Sequence, residues 1–240
     1  MDTKLIVSCE HASNNIPIQW KYLFESSEAQ KALNTHLGID IGAKKIAKYV
    51  ANQLSCQSII ADYSRLLIEL NRSLDHTRLF SKFSKVISDE QKHNLIISLY
   101  QPYRQKVEKL IKEYIQQNNR VIHLSIHSFT PVLNNKARTT DIGLLYDPNK
   151  KLEKDFCTAI KSIYLEANYE YKLKLNYPYR GNSDGFTKYL RSKFDDSKYL
   201  GIEIEFNQKH FENNDFDKNL VQNIINTIKS FFVHKVLTLG

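Results

Sequence analysis

Short apolar runs alternate with longer amphipathic stretches along this chain. Residues 5–7 (LIV) predict a buried strand, closed by the polar, turn-forming segment from Ser8 to Pro17. Ile39, Ile41, Ala43, Ile46, Ala47, Val50 and Leu54 then recur at near-helical spacing, with Asp40 near the start of that helix. Residues 57–61 (QSIIA) and 66–70 (LLIEL) predict two short strands, and 71–85 is polar and aromatic without a period, which predicts a loop. A long amphipathic helix follows over about 89–117, with a break or kink at Pro102. Strands are expected at 121–125 (VIHLS), 142–146, 169–175 and 199–206 (YLGIEIEF). Helices are expected at 152–167 and 186–193, with a turn-rich loop at 176–185. A closing helix carries Leu220, Val221, Ile224, Ile225, Ile228, Phe231 and Phe232 on one face. Strands alternating with helices imply an α/β fold with a mixed, mostly parallel sheet covered on both faces.

Length and composition narrow this further. At 240 residues with only 7 Gly and 5 Pro, the chain has little room for flexible linkers and reads as one compact domain over 1–240. The net charge of +8 suits an anionic partner, but Lys and Arg are dispersed rather than blocked. A small acidic substrate would suit a basic site as well as nucleic acid would, and charge alone does not decide between them. Cys9, Cys56 and Cys157 are odd in number and lack CxxC spacing, which argues against disulfides and thiolate zinc sites. The N-terminal apolar run is too short for a signal peptide, and no apolar stretch is long enough to span a bilayer. The expectation is a cytoplasmic protein without a membrane segment.

Polar residues appear at four strand ends where the neighbouring pattern is apolar. These are Glu10 and His11; Arg65 with Asn71 and Arg72; His127 with Ser128; and Glu203 with Glu205. In open α/β sheets ligands bind at the carboxyl ends of strands. Two histidines and a carboxylate make a catalytic zinc site with one open position, and a separate carboxylate can then act as general base. Arg72 beside Asn71 suits a substrate carboxylate, because the guanidinium grips it bidentately and the amide adds a donor.

The ordered set SCEHASNNIP, THLGIDIGA, SRLLIELNRS, IHSFTP, DIGLLYD, NYPYRG and IEIEFNQ resembles the N-formylglutamate amidohydrolase family. The resemblance runs from about Ser8 to Gln208. It implies a three-layer fold of zinc-carboxypeptidase type, one zinc at the carboxyl edge of the sheet, and N-formyl-L-glutamate as substrate. It further implies zinc ligands at His11 and His127, a substrate-carboxylate grip at Asn71 and Arg72, carbonyl polarisation by Arg65, and a general base at Glu205. Arg138 and Ser128 are further candidates for substrate contact. Asn14 stands where a carboxypeptidase HxxE pair would carry Glu, so the third metal ligand is open between Asp40 and Glu10; Asp40 is preferred because a helix start can swing a carboxylate into the cleft. A zinc exopeptidase or deacylase of the same fold with another substrate is the second reading. A basic nucleic-acid-binding module, which has no need of zinc, is the third.

Each residue also has a plainer role available. Asp40 alone reads as a helix cap, and Glu10 and His11 alone read as loop polar residues. His123, inside VIHLS, is expected to be a satisfied core histidine, and His36 and His93 to be surface or capping residues. Glu203 and Glu205 share one side of their strand, and two buried carboxylates so close require a cation nearby.

Overall fold

The computed structural model describes residues 1–237. Six strands form the central sheet: β1 (Thr3–Cys9), β2 (Gln57–Ile60), β3 (Arg120–Phe129), β6 (Ile142–Leu145), β7 (Leu173–Leu175) and β8 (Tyr199–Asn207). Two small hairpins, β4 (Val132–Leu133) with β5 (Lys136–Ala137) and β9 (Phe211–Glu212) with β10 (Asp215–Phe216), lie outside it. The order is β2-β1-β3-β8-β6-β7. Neighbouring strands run parallel except β6, which is antiparallel to β8. Every residue of β3 but Arg120 is buried, as a central strand covered on both faces requires.

The helices are α1 (Ser27–Leu33), α2 (Ala43–Gln53), α3 (Asp89–Leu95), α4 (Gln101–Gln116), α5 (Lys151–Glu166), α6 (Phe186–Lys193) and α7 (Lys218–Leu237). Helix α7 packs against both α2 and α5. Helix α4 meets α6 through the Tyr189 hydroxyl, which donates to Glu108 at 3.0 Å, and through the Tyr103–Phe186 ring contact. The expected mixed, mostly parallel sheet flanked by helices is therefore present. No helix among the described residues is long and apolar enough to cross a membrane.

Several elements differ from the sequence expectation. Residues 66–70 do not form a strand. Leu67, Ile68 and Leu70 are buried as the apolar run demands, but on a turn in which Ser64 accepts from the Leu66 N–H and donates to the Gly38 carbonyl. Burial and extension thus come apart at LLIEL. The predicted break at Pro102 is a π turn over Ile96–Tyr100, just upstream, which absorbs the missing N–H and ring bulk while the helix continues. Strand β7 is only three residues long because β6 offers it partners from Ile142 to Leu144 alone. The first amphipathic helix starts at Ala43, after Gly42 turns the chain at φ 82°.

Candidate active site

The carboxyl ends of β1, β3 and β8 converge on one buried cluster. His11 follows β1, and Asp40, on the loop before α2, is tied to it by its N–H donating to the His11 carbonyl at 3.0 Å. The Asp40 carboxylate does not cap α2. It turns inward, with Oδ2 3.2 Å from His11 Nδ1 and 2.9 Å from His127 Nδ1. Ligand atoms of His11, Asp40 and His127 all lie within 4.8 Å of one another, so this group can hold a metal ion.

Both histidines rest their other nitrogen on a buried carboxylate. His11 Nε2 lies 2.5 Å from Glu69 Oε1, and Glu69 in turn accepts from Arg65 Nε at 2.7 Å and from the Asn71 N–H at 3.1 Å. His127 Nε2 lies 3.1 Å from Glu10 Oε2 and 3.0 Å from Ser125 Oγ. Glu10 also accepts from the Ser125 and Tyr103 hydroxyls, at 2.6 and 2.9 Å. Glu10 therefore stands behind His127 rather than beside Asp40, which bears on the open choice of third ligand. Burial disfavours charge on Glu10, but the His127 hydrogen bond and charge overcome it and hold the carboxyl below the usual range. Asp40 is likewise held low by His11 and His127 against burial, and Glu69 by Arg65 and His11.

Glu10, Asp40, Glu69 and Glu205 are each no more than 5% exposed. Among the described residues Arg65 is the only guanidinium or ammonium paired with them. Without a metal the two imidazoles, both with raised pKa values, supply with Arg65 the positive charge these carboxylates need. A metal ion held by neutral imidazoles would take over that role, and two imidazoles with one carboxylate oxygen are a donor set that suits zinc. The residues fit the metal.

Glu205 differs from its neighbours. Register places it directly across from His127, and its Oε2 is buried without a hydrogen-bond partner among the described residues. Burial raises its pKa from the ordinary 4.5 to about 8; His127 opposes this, and the charges of Asp40 and Glu203 add to it. Glu203, one repeat earlier and half-buried, accepts from the Thr187 hydroxyl at 2.6 Å.

The cluster forms the floor of a cavity of about 680 Å³ that Asn71 and Arg72 also line. Asn71 Oδ1 accepts from the Phe186 N–H at 2.6 Å, which leaves its amide nitrogen as a donor. Arg72 Nη1 donates to the Asp184 carbonyl. The Ser128 hydroxyl lines the cavity too, but it donates to the Ile41 carbonyl and accepts from Gln208, while its N–H donates to Asp40 Oδ2 at 3.3 Å. Ser128 thus braces Asp40 rather than offering a free hydroxyl. Arg138 does not reach the cavity wall; it stacks on Tyr179, which does. His123 is the core histidine expected, held between Tyr199 and Ser8 at 2.9 and 2.7 Å. His36 is exposed at the mouth. The supporting roles of Glu69 and Ser125 were not read from the sequence, although a carboxylate inside the apolar run LLIEL is a usable signal.

The family model of N-formylglutamate amidohydrolase matches residues 3–211. The chain belongs to that family. The fold is shared with a gene product of Agrobacterium tumefaciens, 22% identical, at a TM-score of 0.79 over 98% of this chain and 91% of that one. It is shared also with the N-formylglutamate amidohydrolase of Ralstonia eutropha, 15% identical, at 0.70 over 94% and 91%. No curated protein sequence matches. Family membership supports amide hydrolysis as the activity of the chain.

Proposed function

We propose that this chain is a zinc-dependent amidohydrolase that cleaves N-acylated acidic amino acids, with N-formyl-L-glutamate as its substrate. The observation that carries the reading is Glu205: a buried carboxylate with an unpartnered oxygen and a raised pKa, beside a His-Asp-His group. Zinc would be held by His11, Asp40 and His127, where it supplies Lewis acidity that acidifies water and polarises a carbonyl.

The chain's own groups do the rest. Arg72 and the Asn71 amide nitrogen bind the substrate carboxylate and fix the scissile amide over the floor. Arg65, a quarter exposed and braced by Asp40 and Glu69, favours negative charge on the carbonyl oxygen. Glu205 takes the proton of the attacking water on Oε2, and a C–O bond forms at the formyl carbon. It then returns that proton to the leaving nitrogen as the C–N bond breaks, giving formate and glutamate. Burial raises the Glu205 pKa in the metal-free protein, which makes the carboxylate a stronger base, and a cation beside it would favour the ionised form that takes the proton.

The whole chain is read as one catalytic domain in a reducing, cytoplasmic setting, in keeping with free thiols at Cys9, Cys56 and Cys157. The deciding experiment is an assay of formate release from N-formyl-L-glutamate, with zinc content measured alongside. We expect about one zinc per chain, loss of turnover with a chelator, and restoration by zinc. In Glu205→Gln, zinc should stay bound while kcat falls roughly 10²–10⁴-fold. Full turnover by protein freed of metal would refute the reading.

A further inference from the structure

The floor of the cavity is acidic, but its rim is basic. Six cations line the cavity, and three are engaged: Arg65 by Asp40 and Glu69, Arg72 by Asp184, and Lys82 by Glu28. The other three, Arg78, Lys85 and Arg180, are exposed, and among the described residues none has a carboxylate oxygen within 4.0 Å.

The backbones that carry them are pinned. Arg78 adjoins Leu79, which is buried and whose carbonyl accepts from the Glu69 N–H at 2.9 Å. Lys85 adjoins Ser84, which is buried and donates to the Leu66 carbonyl at 3.0 Å. Arg180 adjoins Gly181, whose carbonyl accepts from the buried Arg191 at 2.7 Å and whose N–H donates to Asn176 at 3.1 Å. The roots of all three cations are therefore fixed relative to the floor.

Size points the same way. A volume of about 680 Å³ belongs to sites that hold drug-sized ligands, and a single N-formylated amino acid leaves much of it unfilled. The unfilled part is the part next to cations without partners.

We propose that Arg78, Lys85 and Arg180 form a second anion subsite, and that the substrate class is an N-acylated acidic amino acid carrying a third acidic group, beyond the two carboxylates of N-formyl-L-glutamate itself. Its role in catalysis rests on the hydrolase reading above; its existence as a binding site does not. The further acid can sit on the acyl group or on a residue joined through the side-chain carboxyl, and both present the same chemistry to the rim.

The test uses the zinc-loaded protein and two probes, N-glutaryl-L-glutamate and N-formyl-γ-L-glutamyl-L-glutamate. Their controls, N-pentanoyl-L-glutamate and N-formyl-γ-L-glutamyl-L-glutamine, match them in size and lack only the third acid. Turnover is followed together with calorimetric binding, in the wild type, in Arg78→Ala/Lys85→Ala and in Arg180→Ala. At least one probe should exceed its control about tenfold in kcat/KM or affinity, the order that a few partly exposed ion pairs supply together. That advantage should collapse in the variants, and which probe shows it tells on which side the acid lies. An advantage for neither probe, or one that survives the substitutions, overturns the subsite even if N-formyl-L-glutamate is hydrolysed. Selective, Arg78- and Lys85-dependent binding without turnover of any compound keeps the subsite and overturns the hydrolase reading.

Discussion

His11 and His127 each turn Nδ1 toward Asp40 and rest Nε2 on a buried carboxylate, Glu69 and Glu10 respectively. Such partners fix ring orientation and make the facing nitrogen a better ligand. Glu69→Gln and Glu10→Gln should therefore each weaken zinc binding about 10–100-fold, read by competition with a chromophoric chelator. Unchanged affinity in both would remove them from the site. Glu205 gives a second prediction, for the metal-free protein. Its native carboxyl keeps a proton between the ordinary 4.5 and about 8, where the unfolded chain has released it. The native state then binds more protons than the unfolded one, so this group makes stability fall as pH rises through that window. Glu10, Asp40 and Glu69, held low, act in the opposite sense: their contribution is present above their ordinary values and lost as pH falls. Glu205→Gln removes only the first effect. Relative to the wild type, the variant should thus gain stability from pH 5 to pH 8 in chemical unfolding, and a constant difference would contradict the raised pKa.

At the carboxyl edge, strands β3 and β8 bring His127 opposite Glu205 and Ser125 opposite Glu203 through register alone. What ties α5, α6 and the 176–185 loop to the sheet is a second buried network. Arg191 on α6 donates to Glu153 on α5 at 2.8 Å, to the Gly181 carbonyl at 2.7 Å and to the Gly201 carbonyl at 2.6 Å. Glu153 also accepts from the Gly201 and Asp147 N–H groups, each at 2.8 Å. The two charged side chains are 4% and 2% exposed, so solvent screens them little. Arg191→Met should cost about 3–5 kcal/mol in urea unfolding, because it leaves Glu153 buried and unpaired. Arg191→Met with Glu153→Leu should recover part of that loss; no recovery would show that the backbone contacts, not the charge pair, dominate. Close approach matters on the same edge. A Cβ at Gly143 would stand 1.9 Å from the Tyr177 carbonyl, so the 176–185 loop can lie against β6 only because that residue is glycine.

For the whole molecule, the His11, Asp40 and His127 group is assembled only by folding, so a metal held there would bind the native state alone and be linked to folding. Zinc that binds the native state alone should stabilise it by about 2.7 kcal/mol at a free concentration 100-fold above Kd. Thermal unfolding with and without chelator measures this directly. The His11→Ala/His127→Ala double variant should show no zinc-dependent rise in Tm, and an equal rise there would place the metal elsewhere. The +8 net charge acts at the same scale, because a basic rim raises the local concentration of anions, an effect weakened by salt.

Much of this protein is readable in the chain. Apolar periodicity located the central strands and α2, α4, α5, α6 and α7 to within a few residues, because burial on one or both faces leaves a direct mark on composition. The candidate residues were visible as polar positions beside apolar runs, though 66–70 is a turn rather than the strand expected. His11, Asp40, Arg65, Asn71, Arg72, His127 and Glu205 do meet in one cavity. Tertiary structure decided the rest. LLIEL is apolar whether it lies extended or turned, so only the contacts of Ser64 and Leu79 settle it as a turn that brings Glu69 to His11. Asp40 and Glu10 both remain open as ligands in one dimension, with Asp40 preferred; the fold puts Asp40 between the imidazoles and Glu10 behind His127. Such distinctions depend on which way a side chain faces across strands far apart in sequence, and no local pattern encodes that.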